Sequence, residues 1–426
     1  MQATNLKFLP PALRSRNYRL FVAGQSISLI GTWMTQIATV WLVYHLTNSA
    51  LMLGVVGFTS QIPNLLLTPF GGVFADRFSR HRILIGTQIL AMVQSLTLAA
   101  LALSGVIQIW QILVLSLFQG IINAIDAPAR QVFVTELVDR REDLANAIAI
   151  NSTMFNGARL IGPAIGGLLI AQIGEAYCFL IDGVSYIAVI AALLAMRFKP
   201  KQMPVMKGNP IQIIKEGFDY AFSSPPIRAI LLLSSLVSLM GTQYVVIMPV
   251  FADKILNGDA QTLGMLMAAS GIGALAGAIY LVTKRTVIGL GRLMIIGPAI
   301  LGIGLIVFAL SRFLPLSLLA MLPIGLGTIL QMAAGNTVLQ TIVDDDKRGR
   351  VMSLYTMSFL GITPFGSLLG GTLADRIGAT NTLILAGIAC ILASLFFRRQ
   401  LRALKKTVYN IYQQKGIDLG SEIRRN

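Results

Sequence analysis

Residues 71–82 read GGVFADRFSRHR and join two long apolar runs. Seven of these positions, Asp76 to Arg82, hold one acid, three arginines and a histidine. Charge inside hydrocarbon needs a partner or water, so such a break reads as a polar hinge between two membrane-crossing helices. A charged turn that merely keeps two helices in register is the simpler reading.

The composition makes the flanking runs membrane segments. Of the 426 residues, 55% are hydrophobic and 12% charged, with a mean hydropathy of +0.73, whereas soluble proteins carry roughly a quarter charged residues. The first run is far longer than the core of a signal peptide, about 7–15 residues, and is expected to remain as a span. A crossing helix needs about 20 mainly apolar residues. Twelve such runs can be drawn, at 20–46, 51–75, 83–104, 108–127, 150–172, 177–196, 228–252, 261–283, 290–311, 315–338, 352–373 and 381–398.

An even number of spans puts both termini on one side. All of the 34 lysines and arginines then fall on that side except Lys254, Arg312, Arg376 and Arg159, the last of which lies inside the fifth run. The positive-inside rule makes it the cytoplasm. The net charge of +16 is therefore read as facing anionic lipid heads, and nucleic acid is excluded as a partner. Cys178 and Cys390 sit in apolar segments without a CxxC pattern or a nearby histidine pair, so both read as packing residues and no metal site is expected. No GxxxxGK[ST] segment is present, and no cofactor is expected.

The connection at 197–227 carries Arg197, Lys199, Lys201, Pro204, Lys207, Gly208 and Pro210, and it divides the chain near its middle. The expected organisation is a cytoplasmic start (1–19), a six-helix bundle (20–196), this linker, a second six-helix bundle (228–398) and a cytoplasmic tail (399–426). Asn209 and Pro210 suit a helix cap and first turn. Ile211, Ile214, Phe218 and Phe222 then alternate with Lys215, Glu216 and Asp219, giving a short amphipathic helix that lies on the inner leaflet or simply bridges the halves. A repeat supports the division. GGLLIAQIG at 166–174 returns as GGTLADRIG at 370–378, identical at five of nine positions.

The hinge spacing G-x-x-x-D-R-x-x-R-x-R, on Gly72, Asp76, Arg77, Arg80 and Arg82, is one of four motifs in order. The others are GTWMTQIATVWLVYHLTNSALMLG at 31–54, NAIDAPARQVFVTELVDRREDLANAIAINS running on through MFNGARLIGPAIGGLL at 154–169, and QTIVDDDKRGRVMSLYTMSFLGITPFGSLLGG at 340–371. Together they resemble the major facilitator superfamily, in the branch containing the enterobactin exporter and related drug and macrolide exporters, over about residues 14–400. The resemblance implies an all-α membrane protein whose twelve transmembrane helices form two pseudo-symmetric halves around a central site. It also implies gating by Gly72, Asp76, Arg77, Arg80, Arg82, Asp126 and Arg130. Asp76 would face the amino end of the eleventh span near Met352 and Ser353, where the helix dipole favours an anion by roughly 0.3 to 2 kcal/mol, and Arg80 would pair with Asp126. Ser79 stands where the family usually has glycine.

Gly162, Pro163, Gly166 and Gly167 fit the GPxxGG pattern that the family associates with export by exchange. Glycines let the fifth helix approach a neighbour closely and the proline bends it, and plain close packing fits equally well. The family's proton-linked RxxQG falls here on Ser116, Gln119 and Gly120, without its arginine. Asp182 is the one acid well inside a span and is a possible proton site. Arg159 either meets an anionic part of the substrate or holds the wall of the cavity. Trp33, Gln36, Gln61, Asn64, Gln119, Asn123, Gln243, Tyr244 and Gln331 are the expected cavity residues, an apolar set with few hydrogen-bonding groups that suits an amphiphile over a sugar.

The expected function is export of an amphiphilic small molecule, a drug-like compound or a siderophore, by alternating access with proton antiport or another coupling ion. The expected setting is a monomer in the bacterial inner membrane among its lipids. Movement of lysophospholipid is the alternative. A membrane-bound transferase is the rival from another class, and no cluster of acids, nucleophile or metal ligands supports it.

Overall fold

The computed structural model describes residues 10–138, 140–197, 210–284, 287, 289–344 and 347–414, with backbone alone at 69–77, 141, 210–215 and 402–414. The linker residues Lys199, Lys201, Pro204, Lys207, Gly208 and Asn209 lie outside it. The described residues form helices α1 (Arg16–Thr47), α2 (Ala50–Arg77), α3 (Arg80–Leu103), α4 (Ile109–Glu136), α5 (Leu144–Ile173), α6 (Glu175–Ala195), α7 (Pro210–Ser223), α8 (Pro225–Ile255), α9 (Ala260–Thr283), α10 (Leu290–Leu310), α11 (Leu314–Ile342), α12 (Arg348–Ile377) and α13 (Ala379–Gln414). All but α7 are long and apolar enough to cross a membrane, twelve in total.

Several helices outrun the apolar stretches that announce them. α4 continues nine residues past 127 and α5 starts six before 150. Polar residues do not stop a helix whose i→i−4 bonds are intact, and these extensions bury a core of their own. Phe133 and Ala147 are fully buried with Tyr18, Phe21 and Leu84. The Tyr18 hydroxyl donates to the Ala147 carbonyl at 2.8 Å, and the Phe21 and Phe133 rings meet edge to face.

Contacts group the chain into two compact units. The first holds residues 1–207 and 249–268, the second 208–248 and 269–426. In the first, α1 packs on α5 and α6, α3 on α6 and α4, and α2 on α4. Pro249–Ala268, the end of α8 and the start of α9, packs with this unit. The Tyr44 hydroxyl donates to Asp253 Oδ2 at 2.7 Å, and a Cβ added to Gly264 would lie 2.6 Å from the Pro163 carbonyl.

In the second unit α10 packs on α11 and α13, and α8 and α12 complete the bundle. Two π-helical turns, Val237–Gly241 in α8 and Met357–Gly361 in α12, face each other. The Ser238 hydroxyl bonds the Phe359 carbonyl and approaches Thr363 Oγ1 at 3.1 Å. α7 docks on the same unit through Arg350 Nη1 to Glu216 Oε2 at 2.6 Å and the Tyr220 hydroxyl to Asp344 Oδ2 at 3.0 Å. Its Phe218 and Phe222 rings stack on one another.

The repeat has a structural counterpart. Gly174 closes α5 at φ 92° and ψ 167°, and Gly378 closes α12 at φ 85° and ψ 155°. Only glycine adopts that region without strain. In both places the next helix starts at the following residue.

Candidate functional site

The hinge joins α2 to α3 through Phe78 and Ser79. Ser79 has φ −61° and ψ 114°, ordinary extended backbone, so the missing glycine has no conformational consequence. Gly72, Asp76 and Arg77 lie in the last turns of α2, and their side chains fall outside the described residues. Arg82 is exposed.

Arg80 is 7% exposed, and it pairs with Glu136, whose side chain is 6% exposed. This corrects the expected Arg80–Asp126 pair. α3 and α4 run antiparallel, so Asp126 lies level with residues two turns into α3. It accepts hydrogen bonds from Thr87 Oγ1 at 2.7 Å and Gln88 Nε2 at 3.0 Å. Glu136, ten residues or about 15 Å further along α4, is level with the start of α3. Arg130 Nη2 meets Asp126 Oδ2 at 2.5 Å, one helical turn away, and its Nη1 reaches Gln25 Oε1 at 3.4 Å. The result is two stacked ion pairs on α4. The i, i+4 spacing of Asp126 and Arg130 was a readable signal for the second pair. Glu136 was missed because it lies beyond the apolar run.

The fifth-helix motif serves two neighbours. A Cβ on Gly162 would meet Trp33 Cβ at 2.5 Å, and one on Gly166 would meet Ile37 at 2.7 Å, so both face α1. One on Gly167 would meet the Ala260 carbonyl at 2.6 Å and the Gly264 Cα at 3.0 Å. Pro163 and Gly167 therefore face the start of α9, at backbone-to-backbone distance.

The remaining candidates of the first unit separate into a half-open set and a buried one. The guanidinium of Arg159 on α5 lies 5.8 Å from the Trp33 ring centroid on α1, and the Phe155 ring meets Trp33 edge to face. Gln36 is exposed, while Gln61, Asn64, Gln119 and Asn123 are half-buried. These four pair within their own helices, Asn64 with Gln61 at 2.9 Å and Gln119 with Asn123 at 3.1 Å. Asp182 is 2% exposed between α1, α3 and α6, where its Oδ2 accepts from Thr35 and Ser95 hydroxyls, each at 3.0 Å. A Cβ on Gly31 would lie 2.7 Å from its other oxygen, so glycine there admits the carboxylate.

In the second unit Gln243, Tyr244 and Gln331 sit in helix packing, where the sequence suggested a cavity wall. Gln243 and Gln331 are fully buried and Tyr244 is 4% exposed. Gln243 lies over Gly370 and donates to the Leu239 carbonyl at 2.8 Å. Gln331 donates to Ser234 Oγ at 3.0 Å, and Tyr244 pairs with Ser270 at 3.1 Å. Their helices are apolar on every side, so an amide turned inward looks in sequence like one turned to a cavity. Among the described residues no group of three His, Cys, Asp or Glu side chains is placed to hold a metal.

Twelve helices long and apolar enough to span a membrane, with two ion pairs on α4 and a carboxylate buried among hydroxyls, define a polytopic membrane protein. The chain belongs to the transmembrane secretion effector family of the major facilitator superfamily, whose model matches residues 8–417. It is 27% identical to the staphyloferrin A transporter of Staphylococcus aureus, over 91% of this chain and 97% of that one. It is 25% identical to the multidrug efflux pump Tap of Mycolicibacterium fortuitum, over 85% and 90%. The crystal structure of a D-xylose–proton symporter shares its fold, with a TM-score of 0.71 at 16% identity over 89% of this chain and 96% of that one. Family and relatives are transporters, which removes the transferase reading.

Proposed function

We propose that this protein exports an anionic, aromatic amphiphile of the siderophore or drug type by alternating access, in the bacterial inner membrane with both termini cytoplasmic. The observation that carries this reading is Arg159. It is a half-exposed cation in a spanning helix, no ion pair engages it among the described residues, and its neighbour is the Trp33 ring at 5.8 Å. An unpaired charge at that depth is costly and is kept where it serves a pathway. A cation beside an aromatic ring, itself packed on a second one, favours a ligand that brings negative charge and flat apolar surface together. Gln36, Gln61, Asn64, Gln119 and Asn123 add few polar groups, which supports an amphiphile over a sugar. One relative is named for a siderophore and another for multidrug efflux.

Gating is assigned to Gly72, Asp76, Arg77 and Arg82 of the hinge with the Arg80–Glu136 and Asp126–Arg130 pairs. Proton antiport by a monomer is the proposed mode, with Asp182 as the candidate exchange site. The test is efflux of a catecholate siderophore and of fluorescent cationic amphiphiles from vesicles, with and without a protonophore, for wild type, D76N, D182N and R159Q. R159Q should slow siderophore efflux about ten-fold, the equivalent of about 1.4 kcal/mol of lost binding, and spare the cationic compounds. D76N should slow all cargoes. Equal effects of R159Q on both charge classes would sink the assignment, and gradient-independent movement would turn the search towards lipids.

A further inference from the structure

A groove of about 420 Å³ opens on the second unit along α8, α12 and α13. Its wall is almost wholly hydrocarbon, with Leu232 and Leu239 from α8, Phe365 from α12 and Phe396 from α13. Ser235 and Gln400 supply the side-chain polar groups. All three helices are candidate membrane spans, so the medium that reaches this recess is lipid.

Its length is informative. The α8 wall runs from Ala229 to Leu239, ten residues or about 15 Å of helix. That is half of the roughly 30 Å hydrocarbon core, the depth of one leaflet. The inner end abuts the paired π turns, since Leu239 lies in one and Ile362 directly follows the other. π turns inside α-helices mark functional positions more often than chance.

The opposite end carries charge. Arg228, Leu232, Ser235 and Leu239 are spaced i, i+4, i+7 and i+11, which places them on one face of α8. Arg228 thus heads the row that lines the groove, and it is exposed. On α13, Arg399 is exposed three residues beyond Phe396 and next to Gln400. Among the described residues no ion pair engages either arginine. The groove therefore joins a slot one leaflet deep to two free cations at its headgroup end.

We propose that this groove is a binding site for a single anionic phospholipid, one acyl chain lying along Leu232, Leu239 and Phe365 and the phosphate between Arg228 and Arg399. Every spanning helix meets acyl chains in the lipid shell. This position differs in being concave, matched to one leaflet, and complementary in charge to one headgroup class. The site shares no residue with the Arg159 cluster or the hinge, so it does not depend on which cargo is exported.

The test uses the full chain reconstituted with phosphatidylglycerol or phosphatidylcholine carrying the same photoactivatable acyl chain, with adducts mapped by peptide mass spectrometry. Phosphatidylglycerol adducts should concentrate on residues 229–239 and 393–400 and exceed those of phosphatidylcholine about thirty-fold, the effect of two arginines near an anionic headgroup. S235F, which places a ring in the slot, should remove groove adducts of both lipids. R228Q/R399Q should lower phosphatidylglycerol to the phosphatidylcholine level and leave the latter unchanged. Adducts spread evenly over all lipid-facing helices, or equal labelling by the two lipids in the wild type, would overturn the site, and both are read on the unaltered protein whatever the variants do.

Discussion

The two units bury different kinds of polar chemistry. Among the described residues, every charged side chain classed as buried, Arg80, Asp126 and Asp182, belongs to the first. The second buries amides and hydroxyls instead, among them Gln243, Gln331, Ser234 and Ser238. Yet each unit closes a helix with a glycine of the same backbone conformation, Gly174 after α5 and Gly378 after α12. An ion pair in a dry setting is strong when whole and very costly when one partner is lost. An amide–hydroxyl contact has a small net worth when whole and costs about 1 to 3 kcal/mol when one partner is lost, less than a buried charge does. The first unit is therefore built from contacts that a shift of register or charge can exchange at large energy, and the second from contacts that hold a scaffold.

Breaking a pair in the first unit should have the largest effect. R80A leaves Glu136 buried without its guanidinium and should lower stability by about 3 to 5 kcal/mol, the range for an uncompensated buried charge. Chemical unfolding of the detergent-solubilised protein measures it. The double variant R80M/E136L removes both charges and should recover most of the loss. If R80A costs under about 1 kcal/mol, the pair is solvated and the contrast between units fails.

Packing should matter next, and it should matter in the second unit where charge does not. A Cβ on Gly325 would run into the Ser270 carbonyl, and one on Gly273 into the Leu322 carbonyl, so α9 and α11 touch backbone to backbone. G325A must push those helices apart and should cost about 1 to 3 kcal/mol. G157A in α5 is the control, because nothing lies within 4 Å of its added Cβ. Relief of glycine's excess unfolded-state freedom should there stabilise by about 0.5 to 1 kcal/mol. Equal melting shifts for the two would show that α9 and α11 yield to the methyl.

The spans were legible because a helix in lipid must satisfy its own backbone and present apolar side chains for about 20 residues. The repeated string that ends in Gly174 and Gly378 was legible too, though only the backbone shows that both glycines close a helix. Partners were harder. Glu136 lay hidden because hydropathy marks where hydrocarbon ends, and α4 continues nine residues further. Tyr44 and Asp253, hydrogen-bonded across a sequence separation of 209, carry no local pattern that could link them. Gln243 and Gln331 were misplaced because helices apolar all round give no periodicity from which to orient a single amide.

The smallest effect tests that last point. Gln331 is fully buried, its Nε2 donates to Ser234 Oγ at 3.0 Å, and its Oε1 has no partner. S234A should cost about 1 to 3 kcal/mol, because it leaves a buried donor unpaired beside an acceptor already unpaired. Q331L/S234A removes donor and acceptors together and replaces the amide by hydrocarbon of similar length, so it should fall within about 1 kcal/mol of wild type. Efflux should follow stability, with the double variant active. A stable double variant that no longer transports would give Gln331 a part in moving cargo, and the second unit would then be more than a scaffold.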